Sequence, residues 1–531
     1  MSFRVLITDS MHPVCEEVLH GHNMETVVAI NSAPDELAAI SANVDAWIIR
    51  SGTTISEEMI ETAAKLKVIG RAGVGVDNVD LGAATKRGVL VLNAPEGNTI
   101  STAEHTMALL LSLSRKISAA SASLRSGEWN RKAFTGTELF EKTLGIAGAG
   151  KIGKAVAQRA RAFGVRILAF DPVLASDVAD GLGISLVSMD TLLAESDFIT
   201  VHTPLNASTR GLIDSEALAK CKDGVGIINC ARGGIVDETA LLEALNSGKV
   251  GGAALDVYSI EPPSAELSGL LVHENVVATP HIAASTDEAQ EKVARQVAEQ
   301  VVHALRDEPV STAVNLTVAL ADVQPEVKSY LALAARLGTF VSSLMTGHAE
   351  RLITGCRGQL LQPHGALLEV AVLKGFFTNL NTSPVNYVNA PLLAKEAGLH
   401  SGYETHDVET GFSSRLDVEL LTDGKRIQVS GTVFGDNEPL LVRINDYRLE
   451  VRPEGVILLY QNNDRPGMLA GVGAVLARNG INIASLALGR RSKGEDALTA
   501  INVDENIPDV VLSEIGALEG VYGVHTIELP T

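Results

Sequence analysis

The chain of 531 residues predicts a multidomain α/β protein built on doubly wound parallel sheets. Three observations carry this. Short apolar runs ending in Gly, Asn or Asp alternate with amphipathic segments over residues 3–307, the pattern of strands buried on both faces. A glycine turn, GAGKIG at Gly148–Gly153, follows one such run and opens a helical segment. The length itself suggests about three to four domains.

In chain order, RVLIT, AWIIRSG, KVIGRAGVGVDNV and GVLVLNAPEG supply strands up to residue 98. A helix is expected over Ser101–Ser118, with Ser101 or Thr102 as N-cap and Glu104 in the first turn. GEWNRKAFTGTEL reads as a polar loop. A second β/α series starts at Lys142: TLGIAGAG, a helix over Lys154–Phe163, VRILAFD, then DFITVHTP, GVGIINCARGG and GGAALDVYS with helices between. Ala284–Asp307 places Ala289, Val293, Val297 and Val301 on one helical face. VNLTVALADVQPEV reads as a connector. Beyond it come a helix over Lys328–Leu344, a strand plus helix in VNYVNAPLLAKEAG, and a run of β segments through RLEV. Gly455–Thr531 reads β–α–β–β–α–β, a ferredoxin-like module.

Composition narrows the function. A formal charge of −21 disfavours nucleic acid or an anionic membrane as partner, but a local Arg/Lys pocket still suits a small anion. The four cysteines form no CxxC, which points to a reducing, cytoplasmic setting. FRVLITDS reads as a strand at once, so no signal or transit peptide is expected. No apolar run approaches the length of about 18 residues that a membrane span needs.

Gly148, Gly150 and Gly153 have the spacing that makes a tight turn, lets backbone approach a pyrophosphate and sets it at a helix N-terminus. Asp171, at the end of the next strand, suits adenosine ribose hydroxyls and favours NAD over NADP; its other reading is a cap for DPVLAS. Arg232 in NCARGGIVD suits a substrate carboxylate bidentately, or else a structural ion pair. Glu261 in IEPP and His281 in TPHIA make sense as a pair, the carboxylate fixing the imidazole tautomer and the imidazole moving the hydroxyl proton. Taken alone, a His before a helix is more often a cap or satisfied loop residue, and only the pairing raises His281 above that. Arg50, Ser51 and Gly52 follow a strand and offer an anion site or an ordinary turn. Arg131 and Lys132, beside Trp129, read as a phosphate or subunit contact, or as a solvated basic patch.

VGVDNVD, NAPEGNT, GTEL, GAGKIG, NCARGGIVDE, EPP and PHIAAST, in this order, resemble the D-isomer-specific 2-hydroxy acid dehydrogenase family in its long form. The resemblance covers essentially the whole chain. It implies a Rossmann-like NAD domain (100–284) inserted in a flavodoxin-like substrate domain (1–99 and 285–318), then an α+β intervening domain (319–452) and an ACT regulatory domain (453–531). It implies Arg232, Glu261 and His281 as catalytic residues. Cofactor contacts would be Val74, Gly148, Gly150, Lys151, Ile152, Gly153, Asp171, Thr203, Cys230, Ala231, Asp256, Ala283 and Ala284. Ala283 stands where the family commonly has Gly, and its methyl is expected to crowd the nicotinamide amide. Substrate contacts would be Arg50, Ser51, Gly52, Val74, Gly75, Arg131 and Lys132, and an L-serine effector would meet Asn462, Asp464 and Asn482. Because short-chain relatives usually lack the tail, the implied reaction is NAD-dependent oxidation of 3-phospho-D-glycerate to 3-phosphooxypyruvate, entering serine synthesis, in a cytoplasmic homo-oligomer and without a metal. The alternatives are another D-2-hydroxy acid, a second activity on 2-oxoglutarate, or an NAD-gated, corepressor-like binding protein.

Overall fold

The computed structural model describes residues 2–263, 267–318, 323–407, 412–435 and 437–529. The first sheet contains β1 (Arg4–Ile7), β2 (Glu25–Val28), β3 (Ala46–Ile49), β4 (Val68–Arg71) and β5 (Leu90–Leu92) in the order β2-β1-β3-β4-β5, all parallel. β2 was not foreseen, because as a half-exposed edge strand it lacks the continuous apolar signature of β1 and β3. One face packs on the helix Asp287–Leu305, whose Val293, Val297 and Val301 join Val5, Ile7 and Ile48 in one core. After this helix the chain returns to the sheet edge, where Asn315 Oδ1 accepts from the Val91 amide at 2.9 Å. Part of the expected connector and its boundary at 319 lie outside the described residues.

The second sheet contains β6 (Thr143–Ala147), β7 (Arg166–Phe170), β8 (Ser185–Leu186), β9 (Phe198–Val201), β10 (Val225–Asn229), β11 (Val250–Leu255) and β12 (Val276–Ala278). Its order is β12-β11-β10-β9-β6-β7-β8, again parallel. β6 pairs with β7 on one side and β9 on the other. The winding therefore reverses at β6, and the crevice beyond its carboxyl end is where such sheets bind ligands.

Two expected helices shift. The segment expected over 101–118 is a helix Thr99–Ser114 and a second one Ile117–Arg125, broken where Lys116 turns left-handed (φ 51°). Ser101 is no cap: its Oγ lies 2.8 Å from Thr286 Oγ1, tying together the two segments that cross between the sheets. The helix after the glycine turn begins at Lys151, directly behind Gly150, and ends at Arg161.

In the tail, β13 (Ala349–Arg357), β14 (His400–His406), β15 (Arg415–Thr422), β16 (Lys425–Phe434), β17 (Glu438–Ile444) and β18 (Tyr447–Val451) form a sheet in the order β14-β13-β15-β16-β17-β18. It packs on the helices Pro325–Ser343 and Gly365–Thr378. The strand expected in VNYVN is instead a turn. Asn386 Oδ1 accepts from the Val388 amide and Asn389 Oδ1 from the Asn386 amide, so local side-chain bonds replace a strand ladder. Finally β19 (Gly455–Asn463), β20 (Ile483–Arg490), β21 (Asp496–Val503) and β22 (Val521–Leu529) form an antiparallel sheet ordered β20-β21-β19-β22 under the helices Met468–Arg478 and Asp509–Gly516. Among the described residues no helix is long and apolar enough to cross a membrane.

Candidate active site

A cavity opens where the carboxyl ends of the first two sheets face each other. Arg50 follows β3, Arg71 ends β4, Arg232 follows β10 and His281 follows β12; all four line it, with Ser51, Val74 and Ala284. Loops at strand carboxyl ends converge here because both sheets are parallel.

His281 and Glu261 meet as expected. His281 Nδ1 lies 2.6 Å from Glu261 Oε2. An ionised carboxylate only accepts, so Nδ1–H donates and Nε2 is left free to exchange a proton. Glu261 also accepts from the Tyr258 amide at 3.0 Å. Burial pushes its carboxyl up, but the bonds from His281 and Tyr258 outweigh this and hold it below the usual range. The side chains are 40% and 36% exposed, so the imidazole reaches the cavity. Asp256 builds this turn. It is fully buried and accepts from Thr279 Oγ1 (2.6 Å) and from the amides of Ile282 and Ala283 (both 2.9 Å). Its carboxylate thus braces the loop that carries His281. The neighbouring His105 Nε2 lies 3.3 Å from the carboxylate. Burial alone would raise the Asp256 pKa; these hydrogen bonds keep it lowered.

Arg232 Nη1 donates to the Ala231 carbonyl (2.6 Å) and Nε to Asp77 Oδ2 (2.9 Å). Arg232 is therefore ion-paired and also lines the cavity. Arg71 was not singled out from the sequence. Its Nε is buried without a partner, and burial, then Arg232, lower its pKa to about 10. The signal was available, since Arg71 sits among small residues at the end of a buried strand, as Arg232 does.

Ser51 lines the cavity, whereas Gly52 lies beside it, with an added Cβ 2.3 Å from Asp9 Oδ1. A Cβ on Gly75 would meet Arg232 Nη2 at 1.9 Å, so the guanidinium lies against bare backbone. Arg131 and Lys132 are exposed in the segment between Arg125 and Thr143 and do not line the cavity. This surface loop is tied back to the preceding helices instead, through the Thr137 amide to the Ser114 carbonyl and the Glu128 amide to the Ser123 carbonyl.

The glycine turn fits a dinucleotide. A Cβ on Gly153 would strike the Gly148 carbonyl at 2.2 Å, which fixes close strand–helix packing, and Gly148 has φ 93°. Gly150, at the helix N-cap, has nothing within 4 Å of such a Cβ, leaving room for a pyrophosphate. Thr203 Oγ1 and His202 Nδ1 are buried without a hydrogen-bond partner among the described residues, which fits a polar ligand at the end of β9. Ile152 packs on the core, and Lys151 Nζ is held by Glu96 at 2.8 Å. Asp171 accepts from the amides of Ala149, Val173 and Leu174, so it does cap DPVLAS. The Cys230 thiol is buried in the core, and burial pushes it to about 12, which leaves only its backbone for a cofactor. Ala283 is buried, and its methyl packs in the same core.

The effector residues are not gathered within one chain. Asn482 precedes β20 at the end where Val456 pairs with Val503, whereas Asn462 pairs with Ala497 at the far end of the same strands. Asn462 is buried and bonded to Thr499 Oγ1 and the Asn463 carbonyl. Asp464 accepts from Arg490 and the Gly494 amide, and Asn482 donates to Asp504.

Comparison with known proteins places these features in a family. The D-isomer specific 2-hydroxyacid dehydrogenase NAD-binding domain matches residues 107–283. The D-3-phosphoglycerate dehydrogenase intervening domain matches residues 326–445, and the ACT domain residues 456–520. A D-3-phosphoglycerate dehydrogenase from Bacillus subtilis is 41% identical over 530 residues, 99% of this chain and 100% of its own. Another of that name, from Methanocaldococcus jannaschii, is 39% identical over 527 residues, covering 99% and 100%. Among solved structures, a D-lactate dehydrogenase from Aquifex aeolicus, complexed with NAD and lactic acid, gives a TM-score of 0.53 at 29% identity over 57% of this chain and 96% of that one.

Proposed function

The chain belongs to the D-3-phosphoglycerate dehydrogenase family, and from that membership we infer an NAD-dependent oxidoreductase that converts 3-phospho-D-glycerate to 3-phosphooxypyruvate in serine biosynthesis. The observation that carries the substrate is the third guanidinium. A lactate-sized acid has one anionic group, and Arg232 suffices for it. Arg50 and Arg71, with the buried Arg71 Nε unpartnered, suit a second, phosphate-sized anion.

Gly148, Gly150, Gly153 and the end of β9 would hold the NAD, with Asp171 beside its adenosine ribose. When bound, the nicotinamide supplies the acceptor for the hydride leaving C2. The chain's own residues do the rest. Arg232 binds the carboxylate and polarises the reacting oxygen. His281 Nε2 takes the hydroxyl proton as the carbonyl forms. Glu261 keeps Nδ1 protonated and stabilises the imidazolium that results.

A finer reading concerns regulation and assembly. Asn462 and Asn482 stand at opposite ends of one strand pair, so a single L-serine touches both only where two chains set their ACT domains side by side. We therefore place the effector between two chains of a homo-oligomer, and take the setting as cytoplasmic from the four free cysteines. The test is an NADH-formation assay on the full chain with 3-phospho-D-glycerate, D-lactate and D-glycerate, repeated with L-serine. A preference for an unphosphorylated acid would sink the substrate reading. Serine inhibition of a demonstrated monomer would sink the shared effector site.

A further inference from the structure

We propose that Asp77 is a positioning residue for Arg232, and that through Asn78 the same loop sets Arg50. This rests on the reading of Arg232 as the group that binds the substrate carboxylate.

Residues 72–80 connect β4 to the helix Leu81–Lys86. Within two consecutive positions this loop holds an arginine from each half of the cleft. Asp77 Oδ2 accepts from Arg232 Nε at 2.9 Å, across 155 positions of sequence. Asn78 Nδ2 donates to the Arg50 carbonyl at 2.6 Å and the Thr53 carbonyl at 2.5 Å. The loop is itself fixed. The Ile55 amide donates to the Asn78 carbonyl at 2.8 Å, the Asp80 amide to the Ile55 carbonyl at 3.0 Å, and Asn93 Nδ2 to the Val74 carbonyl at 2.7 Å. Asp80 then caps the following helix through the Ala83 amide. Asp77 is thus delivered by a rigid support rather than a free loop.

The geometry separates positioning from competition. Arg232 lines the cavity and Asp77 does not. The carboxylate grips Nε from the side, the Ala231 carbonyl takes one Nη1 hydrogen, and Nη2 keeps both hydrogens for a ligand. A Cβ on Gly75 would meet both Arg232 Nη2 and Asp77 Oδ2, so the pair packs against bare backbone where Arg232 lines the cavity. Folding alone gives little reason for the pair. Its side chains are 28% and 55% exposed, and ion pairs so open to water add little stability. Held only by the Ala231 carbonyl, the long Arg232 side chain would have to be ordered by each substrate that binds, which weakens binding and misaligns the reacting carbon.

The experiment is steady-state kinetics on the full chain with 3-phospho-D-glycerate and NAD, comparing the native protein with Asp77→Ala and Asp77→Asn, together with melting temperature and NADH binding by fluorescence. Asp77→Ala should raise KM for the acid about tenfold or more and lower kcat, with KM for NAD and NADH affinity within about twofold of native. Asp77→Asn keeps an acceptor oxygen in place and should recover most of the loss. An unchanged KM for the acid in Asp77→Ala would overturn the proposal. So would an equal rise in both KM values with a lowered melting temperature, or an Asn variant as poor as Ala. If Asp77→Ala does not fold, Asp77→Ser carries the test. If the native protein prefers a different 2-hydroxy acid, the substrate reading falls, and the same variants assayed on that acid still decide the role of Asp77.

Discussion

His281 enters the cleft from a left-handed backbone conformation (φ 52°) that a residue with a Cβ seldom adopts. Its support comes from the buried Asp256 carboxylate on the next two amides and from Glu261 on the ring. His281→Asn should therefore lower kcat by about 10²–10⁴-fold while NADH still binds, since general acid–base transfer contributes that much. Retained turnover would remove the proton-transfer role. Ala283→Gly should leave KM for NAD unchanged, because the lost methyl comes from the core, and should cost about 1 kcal/mol of stability by chemical denaturation. His202 gives a pH dependence. Burial lowers its pKa from 6.5 to about 4, so below pH 6.5 the unfolded chain binds a proton that the folded chain refuses. That contribution is fully present above about pH 6.5 and is lost as pH falls toward 4. Denaturation midpoints at pH 7.5 and 5 should converge in His202→Gln relative to the native protein. The meeting of Glu261 with His281 was legible in sequence because a carboxylate and an imidazole make sense as a pair, whereas neither is distinctive alone. Asp77 and Asp256 were not legible as organisers, because their role is a contact across 155 or 26 positions that spacing cannot reveal.

At the scale of the element, the glycine turn divides its work between fold and ligand. Gly153→Ala drives a methyl into the Gly148 carbonyl and should lower the melting temperature as well as NAD affinity. Gly150→Ala meets no protein atom, so the fold should survive while the methyl intrudes on the pyrophosphate, raising KM for NAD at an unchanged melting temperature. Equal melting losses in both would contradict this division. The parallel strands were readable because burial on both faces demands continuous apolar runs, as in the fully buried Ala46–Ile49. Helix ends were less so. Ser101 has the chemistry of an N-cap, yet Thr286 engages its hydroxyl and the helix starts at Thr99. The VNYVN strand failed for a similar reason, since Asn386 and Asn389 bond to nearby amides before a strand can pair.

Across the whole molecule the four sheets do not make four independent bodies. Ile457, Leu459, Leu498, Ala500, Ile527 and Leu529 of the last sheet lie in one core with Leu333, Leu337, Leu449 and Val451 of the intervening domain. The other face of that sheet has its own core under the two ACT helices. The central strands β19 and β21 are therefore buried on both faces, and the domain before them supplies one of the covers. Removing residues 453–531 would expose Leu449, Val451 and their neighbours to water and take away apolar contacts that no local element replaces. The contact between the tail and the first domain is of another kind. It includes a hydrogen bond from Asn386 Nδ2 to the Gly88 carbonyl at 2.7 Å, of the polar sort that separates without exposing a core. Calorimetry of the full chain should accordingly resolve the tail as one cooperative unit, with no separate ACT transition. A chain ending at residue 452 should lose the tail transition, while residues 323–531 expressed alone should retain it. An ACT segment that melts by itself would show that the shared core contributes little. If it melts with its neighbour, an effector bound at the ACT end acts on the intervening domain as on a single body. One contact of that body with the first domain lies at the turn after the helix Leu81–Lys86, where Asn386 donates to the Gly88 carbonyl.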